Sequence, residues 1–284
     1  ISHITTITPF NSGYAHNAWL NDSGTHLVTT EETVNRTVKI WDISDLENIT
    51  LTGEYLGENE LAHNVHVKDD LVYISHYSVG IKIIDIFNPN KPVEVAAYDT
   101  YPQGNGQGYV GCWGAYPFAD NTMIFASDMQ NGLYIFDFNP QYAGWVEGHM
   151  YLNLNNPIPN ATIKSLLNNS EHQTDENGYF DIGSPQGTHQ FEISYEDEVI
   201  DTISIEFFPR EISHINIIIN QDIIQGDANF DNNLDILDVI IIMNMILGDE
   251  EPTPQEILVS DMNYDGIINI QDIILLVSEI LDRN

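Results

Sequence analysis

Three stretches in the first half of the chain repeat one pattern of hydrophobic and polar positions. Each contains short runs rich in β-branched and aromatic residues, separated by Gly, Asn and Asp, and each closes on a run that ends in aspartate: VKIWD, IKIID or LYIFD. Those aspartates, Asp42, Asp85 and Asp137, are 43 and then 52 residues apart (42 to 85, 85 to 137). Several short strands per unit at such a period predict four-stranded blades of a β-propeller.

Three blades are fewer than the roughly four to eight that close a propeller. The sequence starts at Ile1 inside the repeat pattern, with neither an initiator Met nor a signal peptide. We therefore expect the remaining blades upstream of Ile1, and we interpret residues 1–141 as the C-terminal blades of a propeller.

The pattern changes near residue 145. Alternating runs such as VEGHMY (146–151) and FEI (191–193) are separated by turn sequences such as TDENG (174–178), and no repeat is visible. Alternation with turn signals every ~8–12 residues is typical of a seven-stranded β-sandwich. The sequence therefore predicts a small β-sandwich over residues 145–220.

Two twelve-residue loops near the C-terminus repeat one another at a constant offset in the sequence. They are DANFDNNLDILD at 227–238 and DMNYDGIINIQD at 261–272. Apolar residues at helical spacing predict one helix over Ile236–Leu247, with Gly248 as its C-terminal cap, and another over Ile270–Leu281. The fold class is therefore multidomain and mainly β, with an α-helical module at the C-terminus.

The two loops carry the strongest candidate chemistry in the chain. Oxygen-bearing side chains at loop positions 1, 3, 5, 9 and 12, with a backbone carbonyl at position 7, are what a hard Ca²⁺ ion needs. Position 6 must take a positive φ, which Gly266 adopts freely and Asn232 tolerates. The sequence predicts two Ca²⁺ ions, bound by Asp227, Asn229, Asp231, Asn233, Asp235 and Asp238 in the first loop and by Asp261, Asn263, Asp265, Ile267, Asn269 and Asp272 in the second.

The repeat region, about residues 1–140, also resembles a known family. The strings YAHNAWL (14–20), LAHNVHV (61–67) and ASDMQNGLYIF (126–136) resemble the LVIVD-repeat propellers of bacterial secreted proteins called choice-of-anchor B. That resemblance implies a propeller joined to varying C-terminal anchoring or sorting modules, and it implies no particular activity. Residues 145–220 resemble a carboxypeptidase regulatory-like domain, which implies a non-catalytic spacer with an Ig/transthyretin-like β-sandwich.

The paired loops, with Asp rather than Glu at position 12, resemble a type I dockerin over about residues 226–281. The resemblance implies a calcium-dependent module, here residues 224–284, that docks a cohesin on a scaffold or the cell envelope. Partner choice in cellulosomal dockerins uses loop positions 10 and 11, which here are Ile236, Leu237, Ile270 and Gln271. These differ from the Ser-Thr pair of the best-known members, so the identity of the cohesin-like partner stays open.

The charge balance excludes several classes of partner. With 8 basic and 43 acidic side chains, the net charge is −35, so no Lys/Arg patch is available to bind nucleic acid or an anionic membrane. No apolar run approaches the roughly 18 residues of a membrane span. We therefore expect a secreted protein at the cell surface or outside the cell, in a calcium-containing medium.

Three weaker signals lie in the blades. His16 and His63 occupy equivalent positions, where they could join a metal or ligand site on the propeller axis. The alternative, which we favour, is that they hydrogen-bond neighbouring blades, since the third repeat has Gly111-Cys112-Trp113 there. We interpret Glu31-Glu32 as solvated loop charges rather than a glycosidase acid and base, and Cys112 as a packed thiol.

These observations favour a non-catalytic propeller and spacer, tethered through a calcium-dependent dockerin to a cohesin-like partner, as an adhesion or scaffold component. One alternative is an accessory of extracellular polysaccharide catabolism, associated with O-glycosyl hydrolases in a cellulosome-like complex, with a polysaccharide or cell-surface component as a further partner. A second alternative is a hydrolase whose site lies on the propeller axis. No catalytic set is visible in the sequence.

Overall fold

A computed structural model describes most of the chain. The described residues are 1–8, 12–56, 61–104, 108–119, 122–152, 156–196, 198–219, 224–248, 252 and 254–283. The chain divides into two compact units, Ile1–Ile219 and Asn220–Asn284. Residues 220 and 284, where two of the predicted domains end, lie outside the described residues.

Two four-stranded antiparallel sheets follow one another at the start of the chain. The first contains β1 (Ala15–Leu20), β2 (His26–Glu31), β3 (Val38–Asp42) and β4 (Thr50–Tyr55), and the second contains β5 (Asn64–Lys68), β6 (Leu71–Ser75), β7 (Ile81–Asp85) and β8 (Val93–Tyr98). In both sheets the spatial order is the sequence order. This meander is the strand order of a propeller blade.

A third sheet repeats the pattern with three strands. They are β9 (Cys112–Tyr116), β10 (Met123–Asp128) and β11 (Gly132–Asp137). Four strands were expected, but the next strand in the described part of the chain, β12 (Ala143–Leu152), pairs with later strands instead. The first strand of each sheet contacts the first strand of the next, β1 with β5 and β5 with β9. Neighbouring innermost strands of a propeller make such contacts.

Buried apolar side chains fill the spaces between these sheets. Val28 and Ile40 of the first sheet share one core with Val72 and Ile84 of the second. A separate core joins the second and third sheets and also takes in Trp145 of β12. All five residues of β6, and all five of β7, are buried, because a core covers each face of the second sheet.

The rest of the first unit is a sandwich of two four-stranded sheets. One contains β12, β13 (Asn156–Pro157), β16 (Tyr179–Pro185) and β19 (Ile212–Ile219), and the other contains β14 (Thr162–Ser165), β15 (Glu171–Gln173), β17 (Gly187–Tyr195) and β18 (Glu198–Phe207). Alternate residues of both sheets, including Ile163, Phe180 and Phe191, form one buried core. The strands number eight rather than seven because the two-residue β13 extends the edge beside β12.

β19 joins the first of these sheets through a parallel pairing with β12. Gly148 is required at this pairing, because a Cβ atom there would lie 1.5 Å from the carbonyl oxygen of Ile215. The other parallel neighbours, such as Trp145 with Ile212, have ordinary side chains. One glycine therefore permits the close approach of the two backbones.

The second unit contains three helices within its described residues. They are α1 (Ile236–Leu247), α2 (Pro254–Ser260) and α3 (Ile270–Arg283). Gly248 ends α1 in the left-handed conformation, at φ 75°, as predicted. The short α2 was missed by the sequence analysis, and α3 continues two residues beyond the predicted end. None of the helices in the described residues is long and apolar enough to span a membrane.

A buried histidine in the turn after β6 makes the stability of the first unit depend on pH. Burial is the main cause that lowers the pKa of His76 from 6.5 to about 4, and the positive charge of Lys82 acts in the same direction. Because protonation is disfavoured in the folded state, the contribution of this group to the stability of the unit is greatest above pH 6.5. It decreases as the pH falls from 6.5 towards 4, by about 2–3 kcal/mol from this group.

We expect His76→Asn to remove this part of the pH dependence. The four tryptophans, Trp19, Trp41, Trp113 and Trp145, all lie in the first unit, so urea unfolding followed by tryptophan fluorescence measures that unit alone. The control is His214→Asn, which removes an exposed histidine. Equal slopes of unfolding free energy against pH in wild type and His76→Asn would contradict the prediction.

Candidate functional site

The two acidic loops of the second unit fold with the same hydrogen bonds. Asp227, at position 1, accepts bonds from the amides four and five residues further on, at 3.1 and 2.9 Å. Its counterpart Asp261 accepts the same two bonds, at 3.1 and 2.8 Å. The two loops, which repeat in sequence, therefore also repeat in local structure.

The aspartate at position 12 holds the two ends of each loop together. Asp238 accepts bonds from the amides of positions 2 and 9, both at 2.9 Å. Asp272 accepts the equivalent bonds at 2.9 and 2.8 Å. Both carboxylates are fully buried. In the first loop, Asp235 caps α1 and forms a capping box with Asp238, so loop closure and helix initiation use the same side chain.

Positions 3 and 5 lie side by side in both loops. Asn229 Nδ2 donates to Asp231 at 2.9 Å, and Asn263 Nδ2 donates to Asp265 at the same distance. The backbone oxygen of Ile267, at position 7, accepts from the side chain of Asn269 at 3.0 Å. The oxygen atoms proposed as ligands therefore belong to one continuous hydrogen-bonded network in each loop.

Position 6 has the backbone conformation that the sequence predicted. Asn232 has φ 64° and Gly266 has φ 81°. No neighbouring atom lies within 4 Å of the position that a Cβ of Gly266 would occupy. The requirement at this position is therefore conformational rather than steric.

Acidic charge is buried in the first loop, and within the described residues no basic side chain pairs with it. Asp227 and Asp238 are both buried, and neither loop contains Lys or Arg. Burial is the main cause that raises the pKa of Asp227, and the carboxylates of Asp238 and Asp231 raise it further. Buried carboxylates are stable only when a cation or strong hydrogen bonds compensate them.

In the described part of the chain, His16, Glu32 and His63 are the only group of three His, Cys, Asp or Glu side chains whose ligand atoms lie within 4.8 Å of one another. The loop aspartates are engaged with loop amides instead. The assignment of the twelve calcium ligands, from Asp227 to Asp272, therefore stays a prediction.

The predicted partner-binding residues at loop positions 10 and 11 are exposed. Ile236 and Leu237 are 64% and 51% exposed, and Ile270 is 61% exposed. Gln271 is also exposed. These residues begin α1 and α3, and they leave the core of the unit to Val239, Ile242 and Leu276.

Comparison with family models identifies two segments. Residues 225–281 match the model described as the dockerin type I domain, and residues 61–100 match the LVIVD repeat. The second unit contains a type I dockerin domain. Dockerin domains of this type bind a cohesin partner in an assembly and typically bind calcium, and proteins that contain them are typically extracellular or at the cell surface. The matched repeat covers the second sheet, from Leu61 to Thr100.

A comparison with curated proteins finds no match. Among solved structures, the computationally designed Ika8 protein is 12% identical, over 43% of this chain and 33% of its own, with a TM-score of 0.32. The WD40 beta propeller domain of Doa1 is 12% identical, over 70% of this chain and 56% of its own, with a TM-score of 0.34. The minor pilin GBS52 of Streptococcus agalactiae is 9% identical, over 38% and 63%, with a TM-score of 0.24.

The two repeated histidines of the first unit connect neighbouring blades. His16 Nδ1 lies 3.2 Å from the carbonyl oxygen of His63, and His63 Nδ1 lies 2.6 Å from the carbonyl oxygen of Trp113. The adjacent asparagines do the same: Asn17 accepts from the amide of Val65 at 3.1 Å, and Asn64 donates to Trp113. These contacts agree with the interpretation that we favoured, in which the histidines hydrogen-bond neighbouring blades.

The interpretation of Glu31-Glu32 as solvated charges is wrong. Glu31 is buried and pairs with Lys39 at 3.1 Å. Glu32 follows β2 and faces both repeated histidines, at 3.7 Å from His16 and 3.8 Å from His63. Glu32 was not predicted as a candidate ligand, although the antiparallel pairing of β1 with β2 brings it beside the start of β1.

Cys112 has no nucleophilic character in this fold. The side chain is fully buried between the second and third sheets. Burial, helped by the negative charge of Asp128, raises the pKa of Cys112 to about 12. The thiol is therefore protonated at neutral pH and packs as a small apolar side chain.

Substitution of Gly266 tests the conformational requirement at position 6. We expect Gly266→Val to lower the free energy of unfolding of the dockerin by about 1–2 kcal/mol, because a β-branched residue is strained at positive φ. The helical circular-dichroism signal measures this unit, since all helices in the described residues belong to it. Measurements are made at constant calcium concentration. The neighbouring Ile267→Val is the control, and an equal effect of both substitutions would refute the expectation.

Proposed function

We propose that this chain is a non-catalytic extracellular protein whose propeller blades and β-sandwich are tethered to a larger assembly through a calcium-dependent dockerin. The observation that carries the proposal is the duplicated loop geometry of residues 227–238 and 261–272. Both loops close on a buried aspartate, and both lead directly into a helix with exposed apolar residues. The match to the type I dockerin domain supports this interpretation.

Calcium supplies the positive charge that the loops lack. Asp227, Asp238 and Asp272 are buried, and in the described part of the chain none of them pairs with a basic side chain. The donor set contains only oxygen atoms from carboxylates, amides and a backbone carbonyl, which suits a hard cation. We propose that each loop holds one Ca²⁺ through its six predicted positions. Binding of the metal would be coupled to folding, because the opposed carboxylates repel one another until the cation neutralises them.

A second apolar stripe on each helix provides the docking surface. Beside the residues that face the core, α1 exposes Ile236, Ile240, Met243 and Leu247, and α3 exposes Ile270, Ile274, Val277 and Leu281. Each exposed residue of α1 in this set has a counterpart in α3 at the same sequence offset that relates the two loops. Within each helix these residues follow helical spacing. An apolar surface of this kind indicates a protein partner, and we propose a cohesin-like module as that partner, with Leu237 and Gln271 at its margin.

The first unit would present a separate surface to the medium. The LVIVD match at residues 61–100 and the resemblance to choice-of-anchor B proteins support a propeller. The sandwich has its own core, and its sequence resembles a carboxypeptidase regulatory-like spacer. Two observations support a non-catalytic role: Cys112 is a protonated thiol, and Glu31 is neutralised by Lys39.

Calorimetric titration of the full chain tests the calcium proposal. We expect two Ca²⁺ ions per chain in wild type and one in Asp261→Ala, because that substitution removes the position-1 carboxylate of the second loop. The control Asp201→Ala removes an exposed carboxylate of β18 and should leave two. Chelation should also reduce the helical circular-dichroism signal. No calcium uptake, or helix content unaffected by a chelator, would refute the proposal.

A docking experiment tests the partner surface. We expect the double substitution Ile240→Asp and Ile274→Asp to weaken binding to an immobilised type I cohesin at least about tenfold, because it places charge on both apolar stripes. Both helices are changed because the surface is duplicated. The control is Val199→Asp, which alters an exposed apolar residue of β18. The proposal fails if wild type does not bind, or if the double variant binds as wild type does.

A further inference from the structure

One rim of the blades brings together metal-binding side chains that lie outside the dockerin. His16 lies at the start of β1, Glu32 directly follows β2, and His63 directly precedes β5. The antiparallel connections bring these positions to the same end of neighbouring sheets. Their ligand atoms lie within 4.8 Å of one another, and the side chain of His63 is only 2% exposed.

Backbone carbonyl groups fix the tautomer of both histidines. A carbonyl oxygen can only accept a hydrogen bond, so the Nδ1 atoms that face the carbonyls of His63 and Trp113 must carry the protons. Asn64 Nδ2 lies near His63 Nδ1 and donates to the same Trp113 carbonyl, at 3.2 Å. Both Nε2 atoms are therefore left with a free lone pair. Protein metal sites orient ligating imidazoles in this way.

Three electron-pair donors then converge at this rim. The Nε2 atoms of His16 and His63 lie 3.7 and 3.8 Å from the two carboxylate oxygens of Glu32. The hydroxyl of Tyr77 donates to one of these oxygens.

The surrounding side chains hold this arrangement in place. The imidazole of His63 packs against the rings of His16 and Trp113, with ring centres 4.5 and 4.3 Å away. Tyr77 is buried with a positive φ of 43°, an unfavourable conformation for a bulky residue. Two backbone hydrogen bonds to Cys112 of the third sheet secure that conformation. The carboxylate and both imidazoles are therefore oriented before any ligand arrives.

We propose that one divalent transition-metal ion of the zinc class binds between the first two blades, ligated by His16 Nε2, His63 Nε2 and the Glu32 carboxylate. Tetrahedral zinc, with bonds of about 2.0–2.2 Å, needs ligand atoms about 3.4 Å apart, so the spacings to Glu32 require shifts of only a few tenths of an ångström. Imidazole nitrogen favours such a metal over calcium. The three protein ligands leave one coordination position for water or a further ligand.

Zinc titration of the full chain in excess calcium tests this site. Under the proposed function calcium fills the oxygen-rich loops, so the calorimetric signal from zinc would come from elsewhere in the molecule. We expect one Zn²⁺ per chain in wild type, and at least about tenfold weaker binding in both Glu32→Gln and His16→Asn. The control His214→Asn removes an exposed histidine 3.1 Å from Glu147, the pair that most resembles the site, and should bind zinc as wild type does.

Two further measurements make the outcome decisive. Tryptophan fluorescence of each variant shows that the first unit is folded, so lost binding reports a lost ligand. Cobalt substituted for zinc should give the visible absorption of a four-coordinate site in wild type and not in Glu32→Gln. The proposal is overturned if wild type binds no zinc in excess calcium, if folded Glu32→Gln binds zinc as tightly as wild type, or if His214→Asn loses the binding. Because calcium uptake by the dockerin is measured separately, this site and the proposed function can fail independently.

Discussion

His63 is the residue on which the arrangement of the three blades depends. Its backbone carbonyl accepts bonds from His16 and from the hydroxyl of Thr30, which lies 2.7 Å away, so it links the first blade to the second. Its imidazole donates to the carbonyl of Trp113 and links the second blade to the third. Because the bond from Thr30 is buried and the two imidazole bonds are partly buried, water does not replace them without cost. The same bonds decide which imidazole nitrogen faces Glu32, so packing between blades and chemistry at the rim cannot vary independently.

The dockerin depends in a similar way on buried hydrogen bonds, here those that its negatively charged aspartates accept. Each loop must bury aspartate carboxylates to close, and the bonds that Asp238 and Asp272 accept from loop amides also position the starts of α1 and α3. The helices can then pack one apolar stripe inwards through Ile242 and Leu276 while the other stripe stays exposed. Partner docking through the exposed stripe would therefore depend on the electrostatics of the loops, so calcium binding and docking would be coupled.

Local signals in the sequence were sufficient wherever structure depends on near neighbours. The bounds of α1 were predicted because its apolar residues follow helical spacing from Ile236 and Gly248 is a local C-terminal cap. The seven-residue α2 is too short for apolar periodicity, and Pro254 at its first position was the only signal. Pairing of β12 with β19 joins residues far apart in sequence, so no local pattern could reveal it. Glu32 was misinterpreted for a related reason, since its environment is set by contacts with another blade.

In both candidate metal sites the backbone orients the side chains. Backbone amides act as donors in one site, and backbone carbonyls act as acceptors in the other. In the dockerin, amide groups donate to the carboxylates of Asp227 and Asp261 and hold oxygen atoms in a tight loop. In the blades, carbonyl groups accept from imidazoles and direct the free nitrogen atoms of His16 and His63 towards Glu32. Oxygen donors select a hard cation and imidazole donors a softer one. The two proposed sites would therefore prefer different metals, because the backbone group that fixes each side chain also determines which donor atom is presented.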